Sequence, residues 1–204
     1  TDLKVSPLSG KTILISPRQL QQLKAINGLR NFSLVLEEKA ILQSGDERSV
    51  ISLKGVDGNY RYTTGVADHL VNGKYDLGIA EQPKLIVGAG VENSLRITAD
   101  RHVLPMQIYL PRKSNTEQIN QLDDISTDTI YSSAAFMIQQ DFDNKYGITN
   151  IDFVKQQMNF AADEYSAMEI KLKEDEDVAD ARNDLQQLLP AGFSVQSRYE
   201  QNTS

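Results

Sequence analysis

The chain has no cysteine, an absence that removes disulfides, thiolate metal sites and cysteine nucleophiles together. It leaves the compartment open, because an oxidising space permits disulfides without requiring them. No run approaches the roughly 20 consecutive apolar residues of a membrane span, and the first residues lack the charged, apolar and small-residue order of a signal peptide. Histidine is scarce: His69 and His102 are the only two. They are far apart and have no second ligand at the spacing zinc sites use, and no Gly-x-Ser-x-Gly elbow accompanies them for a triad. Positive charge is in deficit, with 28 acidic against 21 basic side chains and a formal charge of −7. That sign repels a phosphate backbone and argues against nucleic acid as a partner.

What is present describes a folded protein. The 204 residues are 40% apolar and 24% charged, enough for one domain or two small ones and far from a disordered composition. The chain begins at Thr1 rather than Met, which reads as a processed product or an excised piece of something longer.

Ser16-Pro17-Arg18-Gln19 is a capping box with proline at the first helical position. It predicts an amphipathic helix of about three turns carrying Leu20, Leu23 and Ile26, with Gly28 as a left-handed stop. Strand-like runs flank it at Leu3 to Leu8 or Thr12 to Ile15, at Phe32, Leu34 and Leu36, and at Val50 to Leu53 after the turn Ser44-Gly45-Asp46. Near the other end, Met168, Ile170 and Leu172 alternate with Glu169, Lys171 and Lys173, predicting a strand with one buried face. Asp177 then caps a helix bearing Val178, Ala181, Leu185 and Leu188, ended by Pro190 and Gly192, and Phe193, Val195 and Tyr199 read as a strand.

The middle carries strands at Lys84 to Val87, Val103 to Leu110 and Ile130 to Ile138, with short helices at Gly90 to Leu95 and Asp152 to Phe160. Arg112 to Thr129 is polar and reads as a protruding loop. The expectation is an α+β protein: a split βαβ sheet-and-helix lobe from residues 1–57 and 160–204, with an inserted mixed lobe at 58–159.

Motifs that invite chemistry are incomplete. Ser9-Gly10-Lys11-Thr12 resembles half a phosphate loop, but Val5 stands where that loop needs glycine, so a plain turn is expected. Gly88-Ala89-Gly90 after a strand resembles half a dinucleotide fingerprint, but Asn93 replaces its third glycine. The acidic run Lys173-Glu174-Asp175-Glu176-Asp177 precedes a helix, where negative charge complements the dipole. No catalytic constellation and no cofactor site emerges from the residues alone.

The order and wording of several segments nevertheless resemble a known family. They are Leu3-Lys4-Val5-Ser6-Pro7 leading to Gly10-Lys11, the stretch Ile26 to Ser44 with its strand Leu34 to Leu42, and Ile51-Ser52-Leu53-Lys54-Gly55-Val56-Asp57. Later come Ile86 to Val91, Val103 to Pro111, Ser166 to Leu172, and Val195 to Asn202. In this order, over almost the whole chain, they resemble the large extracytoplasmic domain of permease subunits in lipoprotein-releasing ABC transporters. Those belong to a superfamily of mechanotransmitting permeases that includes macrolide exporters and the cell-division permease.

The resemblance implies a domain between the first and second of four membrane helices, on the periplasmic face of the inner membrane. A porter-like lobe from both chain ends would lie next to the membrane, with a sabre-like lobe inserted. It implies mechanical work without catalysis: a cytoplasmic ATPase subunit closes on nucleotide, and paired permease domains shift to extract a lipoprotein and hand it on, so the partner is the lipoprotein substrate or a periplasmic lipoprotein chaperone. In relatives that recruit the chaperone a hook projects from the distal lobe. Its counterpart here is the segment from Pro111 to Thr129, so Pro111, Arg112, Ile119 and Leu122 become the candidate partner site. The rival within the superfamily is an exporter or division permease, and the distant rival is a free-standing phosphate-binding enzyme using the Gly88 to Gly90 turn.

Overall fold

The computed structural model describes residues 1–100, 105–113, 124–189 and 191–201. In chain order its elements run β1 (Leu3–Pro7), β2 (Ile13–Leu14), α1 (Pro17–Lys24), β3 (Leu29–Ser44), β4 (Glu47–Val56), α2 (Tyr60–Thr63), a 3-10 turn (Val66–His69), β5 (Leu70–Gly73), β6 (Gly78–Ile79) and β7 (Gln82–Gly88). They continue with α3 (Ala89–Leu95), β8 (Met106–Pro111), β9 (Ile125–Phe136), α4 (Gln140–Asp143), β10 (Tyr146–Asn150), α5 (Ile151–Met158), β11 (Glu164–Tyr165), β12 (Ala167–Leu172), α6 (Val178–Leu188), β13 (Phe193–Ser197) and α7 (Arg198–Gln201). Among the described residues no helix is long and apolar enough to cross a membrane.

This mixed α/β chain groups into two compact units. One holds Thr1–Val35, Asp57–Thr64 and the residues from Ala161 on; the other holds Leu36–Val56 and Gly65–Phe160. Residues 36–56, expected with the chain ends, group with the middle because β4 pairs with β10 and the second half of β3 pairs with β8.

In the first unit the strands run β13-β1-β12-β3, all antiparallel. Leu3 lies between Ile170 and Ser197, and Val5 between Met168 and Val195. These apolar side chains are buried, α6 packs on β13 and α1 packs on α6 through buried Leu23, Ala181 and Leu185. The α1 capping box is complete: the Gln19 N–H donates to Ser16 Oγ at 3.2 Å, and the Ser16 N–H donates to Gln19 Oε1 at 2.8 Å. Ser16→Ala should cost about 1 kcal/mol, read as a lower urea midpoint at unchanged slope.

Two expectations for this unit are corrected. Gly28 is not the left-handed stop of α1, which ends on Ala25 in right-handed conformation. Gly28 instead permits a close approach, since a Cβ there would lie 2.5 Å from the Glu176 carboxyl carbon. The alternation in β12 marks a buried face correctly, but Glu169 on the other face is also buried. Residues 57–64 explain this, because they fold back over that face: Ser33, the cross-strand partner of Glu169, donates to Asp57 at 2.7 Å, and α2 packs on β12.

The chain ends meet beside this sheet. The Asp2 N–H donates to Ile170 O at 2.9 Å, and the Asp2 carboxylate pairs with Arg198 at 3.0 Å. Tyr199, expected in a strand, lies in α7, where Arg182 pairs with Glu200 and holds its carboxyl below the ordinary value.

The second unit is built around a closed circuit of pairings. β3 neighbours β4, β4 pairs with β10, β10 with β7, β7 with β9, β9 with β8, and β8 returns to β3. Helix α5 packs on β4, β8, β9 and β10, burying Ile151, Phe153, Val154 and Met158. Its first turn is capped by Asn150, whose side chain accepts from the Phe153 N–H at 2.8 Å. Gly55 lets β4 lie against the helix, since a Cβ would come within 2.6 Å of a Val154 methyl.

The expected loop from Arg112 to Thr129 is corrected in part. Residues 125–129 are strand, with Thr127 opposite Tyr109 and Ile125 opposite Pro111. They are polar because Ser126 and Asp128 face α5 and meet Gln157 through hydrogen bonds.

Candidate functional site

The Gly88-Ala89-Gly90 turn is a packing device. β7 runs into α3 through Gly88 as the sequence predicts, but a Cβ on Gly88 would collide with the Asp143 carbonyl and one on Gly90 with the Asn144 side chain. The C-terminal end of α4 therefore packs closely against both glycines, and the Asp143 carboxylate accepts from the Ile138 N–H at 2.8 Å. In the other motif Gly10 adopts φ +78°, as a turn requires, and Thr12 donates to Glu164 at 3.0 Å. Asp177 accepts from Ala179 and Asp180 N–H groups and is the cap of α6. His69 is exposed and its Nδ1 lies 2.6 Å from Gly65 O, while His102 lies outside the described residues. Among the described residues no three His, Asp or Glu side chains are grouped to hold a metal.

The feature that stands out lies at the base of the β8–β9 pairing. In β8, Met106, Ile108 and Leu110 are buried toward α5, so Gln107, Tyr109 and Pro111 face the other way. In β9, Ser126 and Asp128 meet α5, which turns Ile125, Thr127 and Thr129 outward. Along β3 and β4 the contacts Lys39 to Ser52 (2.9 Å) and Arg48 to Gln43 (3.1 Å) set Lys39, Ile41, Gln43, Arg48, Val50 and Ser52 on one face. Ile41 is the cross-strand neighbour of Tyr109, which is opposite Thr127, so that face is shared by all four strands.

The centre of this face is apolar and open. Val50 is 66% exposed, Ile125 53% and Ile41 42%, and with Tyr109 and Pro111 they line a shallow groove of about 350 Å³. Contiguous exposed apolar side chains of this kind mark interaction surfaces more often than scattered single ones do. The polar side chains are held in place: Tyr109 OH and Arg48 Nε both donate to Gln43 Oε1, at 3.4 and 3.1 Å, and Gln107 donates to Thr129 at 3.3 Å.

Of the four residues singled out from sequence, Pro111 ends β8 opposite Ile125 and lines the groove. Arg112 follows it with an exposed side chain, its N–H donating to Asp124 O at 2.6 Å. Lys113 is anchored by its N–H to Met158 O at 2.9 Å, with its ammonium 5.6 Å from the Phe160 ring centroid. Ile119 and Leu122 lie outside the described residues. Sequence reading missed Ile41, Val50, Tyr109 and Ile125. The signal was that β3 and β4 carry apolar residues at both parities, as in Ile41-Leu42 and Val50-Ile51, so that one of each pair must face outward.

No protein-family model matches the sequence, and no curated protein matches it. Solved structures do resemble the fold. The periplasmic region of MacB from Actinobacillus actinomycetemcomitans superposes with a TM-score of 0.63 at 10% identity, covering 98% of this chain and 90% of that one. The extracellular domain of the noncanonic ABC-type transporter YknZ from Gram-positive bacteria gives 0.59 at 10% identity, covering 97% of this chain and all of that one. The chain thus has the fold of extracytoplasmic domains found in ABC-type transporters.

Proposed function

We propose that this chain is the extracytoplasmic domain of a permease subunit in an ABC transporter that releases lipoproteins from the inner membrane. The observation that carries the reading is fold likeness along nearly the full length to transporter domains, one of them covered completely. The resemblance of segments from Leu3 to Asn202 to the lipoprotein-releasing family adds to it. The adjacency of β1 and β13 suits a domain whose two ends enter the membrane side by side. In this reading the domain is not an enzyme. A cytoplasmic ATPase subunit supplies the energy, a second permease subunit pairs with this one, and the unit built from the chain ends is membrane-proximal. The other unit handles the lipoprotein or its chaperone, with Pro111, Arg112, Ile119 and Leu122 at the contact. A packed lobe transmits a displacement because its interior resists compression.

The likeness to MacB and YknZ supports an exporter or division permease as a second reading on the same fold. Sequencing the gene on both sides separates the transporter from a free-standing protein: about 20 apolar residues before Thr1 and three further spans after Ser204 are expected. Start and stop codons immediately flanking this stretch would overturn both readings. Depleting the parent protein should then strand lipoproteins in the inner-membrane fraction. Unchanged lipoprotein sorting with a gain in macrolide sensitivity would move the assignment to the exporter.

A further inference from the structure

We propose that the outward face of β4, β3, β8 and β9 docks an acidic, apolar-centred segment of a partner protein. The inference deepens the partner-handling role proposed above and rests on it. Eleven side chains make the face: Arg48 and Val50, then Lys39, Ile41 and Gln43, then Gln107, Tyr109 and Pro111, and finally Ile125, Thr127 and Thr129, with Ser52 buried where it holds the Lys39 ammonium. Two of them are cations and none is a carboxylate, on a chain whose formal charge is −7. Exposed Arg112 adds a third cation at the hairpin base. Glu37, farther along the same side of β3, is half-buried and takes the Tyr146 hydroxyl at 2.8 Å. The face is therefore a local reversal of the molecule's sign wrapped around an apolar groove, and fields of one sign on a patch select partners of the other.

Three features favour a protein segment. Amides and hydroxyls from Gln43, Gln107, Thr127 and Thr129 surround the apolar centre, the arrangement of a protein interface with an apolar core and polar rim. The groove is shallow, whereas a lipid chain needs enclosure to bury most of its surface. A second copy meeting through the same face would bring together two surfaces that each carry Lys39 and Arg48 and no carboxylate, and like charges juxtaposed at an interface cost several kcal/mol. The cations are also pre-positioned, Lys39 on Ser52 and Arg48 on Gln43, which lowers the entropy lost on binding.

The test uses the isotopically labelled 204-residue chain and three probes: a capped peptide alternating leucine and glutamate, its lysine counterpart, and phosphatidylglycerol vesicles. The glutamate peptide should shift amide signals of residues 39–43, 48–52, 107–110 and 125–129, with binding weakened by salt. The double variant Lys39→Glu with Arg48→Glu should bind it about tenfold more weakly or worse and should gain affinity for the lysine peptide. Val50→Ser should weaken binding while the spectrum stays folded. Equal binding of both peptides, or shifts confined elsewhere, would overturn the proposal. So would vesicle binding in the absence of peptide binding, or self-association that the double variant abolishes. If no peptide binds while the parent protein still releases lipoproteins, the docking surface alone is wrong. If the peptide binds but the gene encodes no membrane spans, the transporter reading falls and the surface stands.

Discussion

Replacing Phe153 with alanine should remove about 3–5 kcal/mol of stability, the range for emptying a fully buried aromatic site. The side chain is 0% exposed on α5, the helix that contacts four of the six strands in the circuit. A cavity there leaves β4, β8, β9 and β10 facing a void that collapse cannot fill without breaking pairings the rest of the circuit holds. Gln156→Ala on the exposed side of the same helix should change stability by no more than about 0.5 kcal/mol. Urea unfolding of both variants checks the contrast, and hydrogen exchange should show protection lost first in β8 and β9. A loss below 1 kcal/mol for Phe153→Ala would mean that α5 does not organise these strands.

Asp57→Ala should cost about 2–4 kcal/mol, because buried polar groups lose their acceptor without gaining water. One carboxylate oxygen accepts from Ser33 Oγ at 2.7 Å and from the Asn59 N–H at 3.1 Å, and the other from the Leu34 N–H at 2.9 Å. Ser33 is 0% exposed, so its hydroxyl has no solvent to turn to. Asp57→Asn keeps one acceptor and should cost less. The double variant Ser33→Ala with Asp57→Ala should recover part of the loss, since removing both partners is cheaper than orphaning one. Additive losses in that cycle would show that the two side chains do not interact.

What the sequence made legible was local chemistry. Ser16 and Gln19 announced α1, Asp177 announced α6, Gly45-Asp46 announced a hairpin, and the alternation of Met168, Ile170 and Leu172 announced β12. The failures share one cause, contact with distant residues. β10 carries no alternation because it is sandwiched between β4 and β7, and Gly147 sits where a Cβ would press on Ile51 and Leu85. Residues 125–129 looked like a loop because Gln157 satisfies their polar side chains in the folded chain. Glu169 looked solvated until residues 57–64 covered it. For the candidate site, Pro111 and Arg112 were named from family likeness, whereas Ile41, Val50 and Ile125 became a surface only when four strands aligned them.

The register of β1 against β13 sets how the chain ends bear load. Leu3 lies opposite Ser197 and Pro7 opposite Phe193, so both termini leave from the same end of an antiparallel pair. Tension that separates the two ends meets the hydrogen bonds one after another, beginning at Leu3 and Ser197. Each rung then bears the whole load alone with a net worth of only about 1 kcal/mol. A thrust delivered to both ends together strains no rung in that way and moves β1, β12 and β13 as a block. The joint is a zipper against divergence and a strut against thrust, with the Asp2 to Arg198 ion pair at its open end.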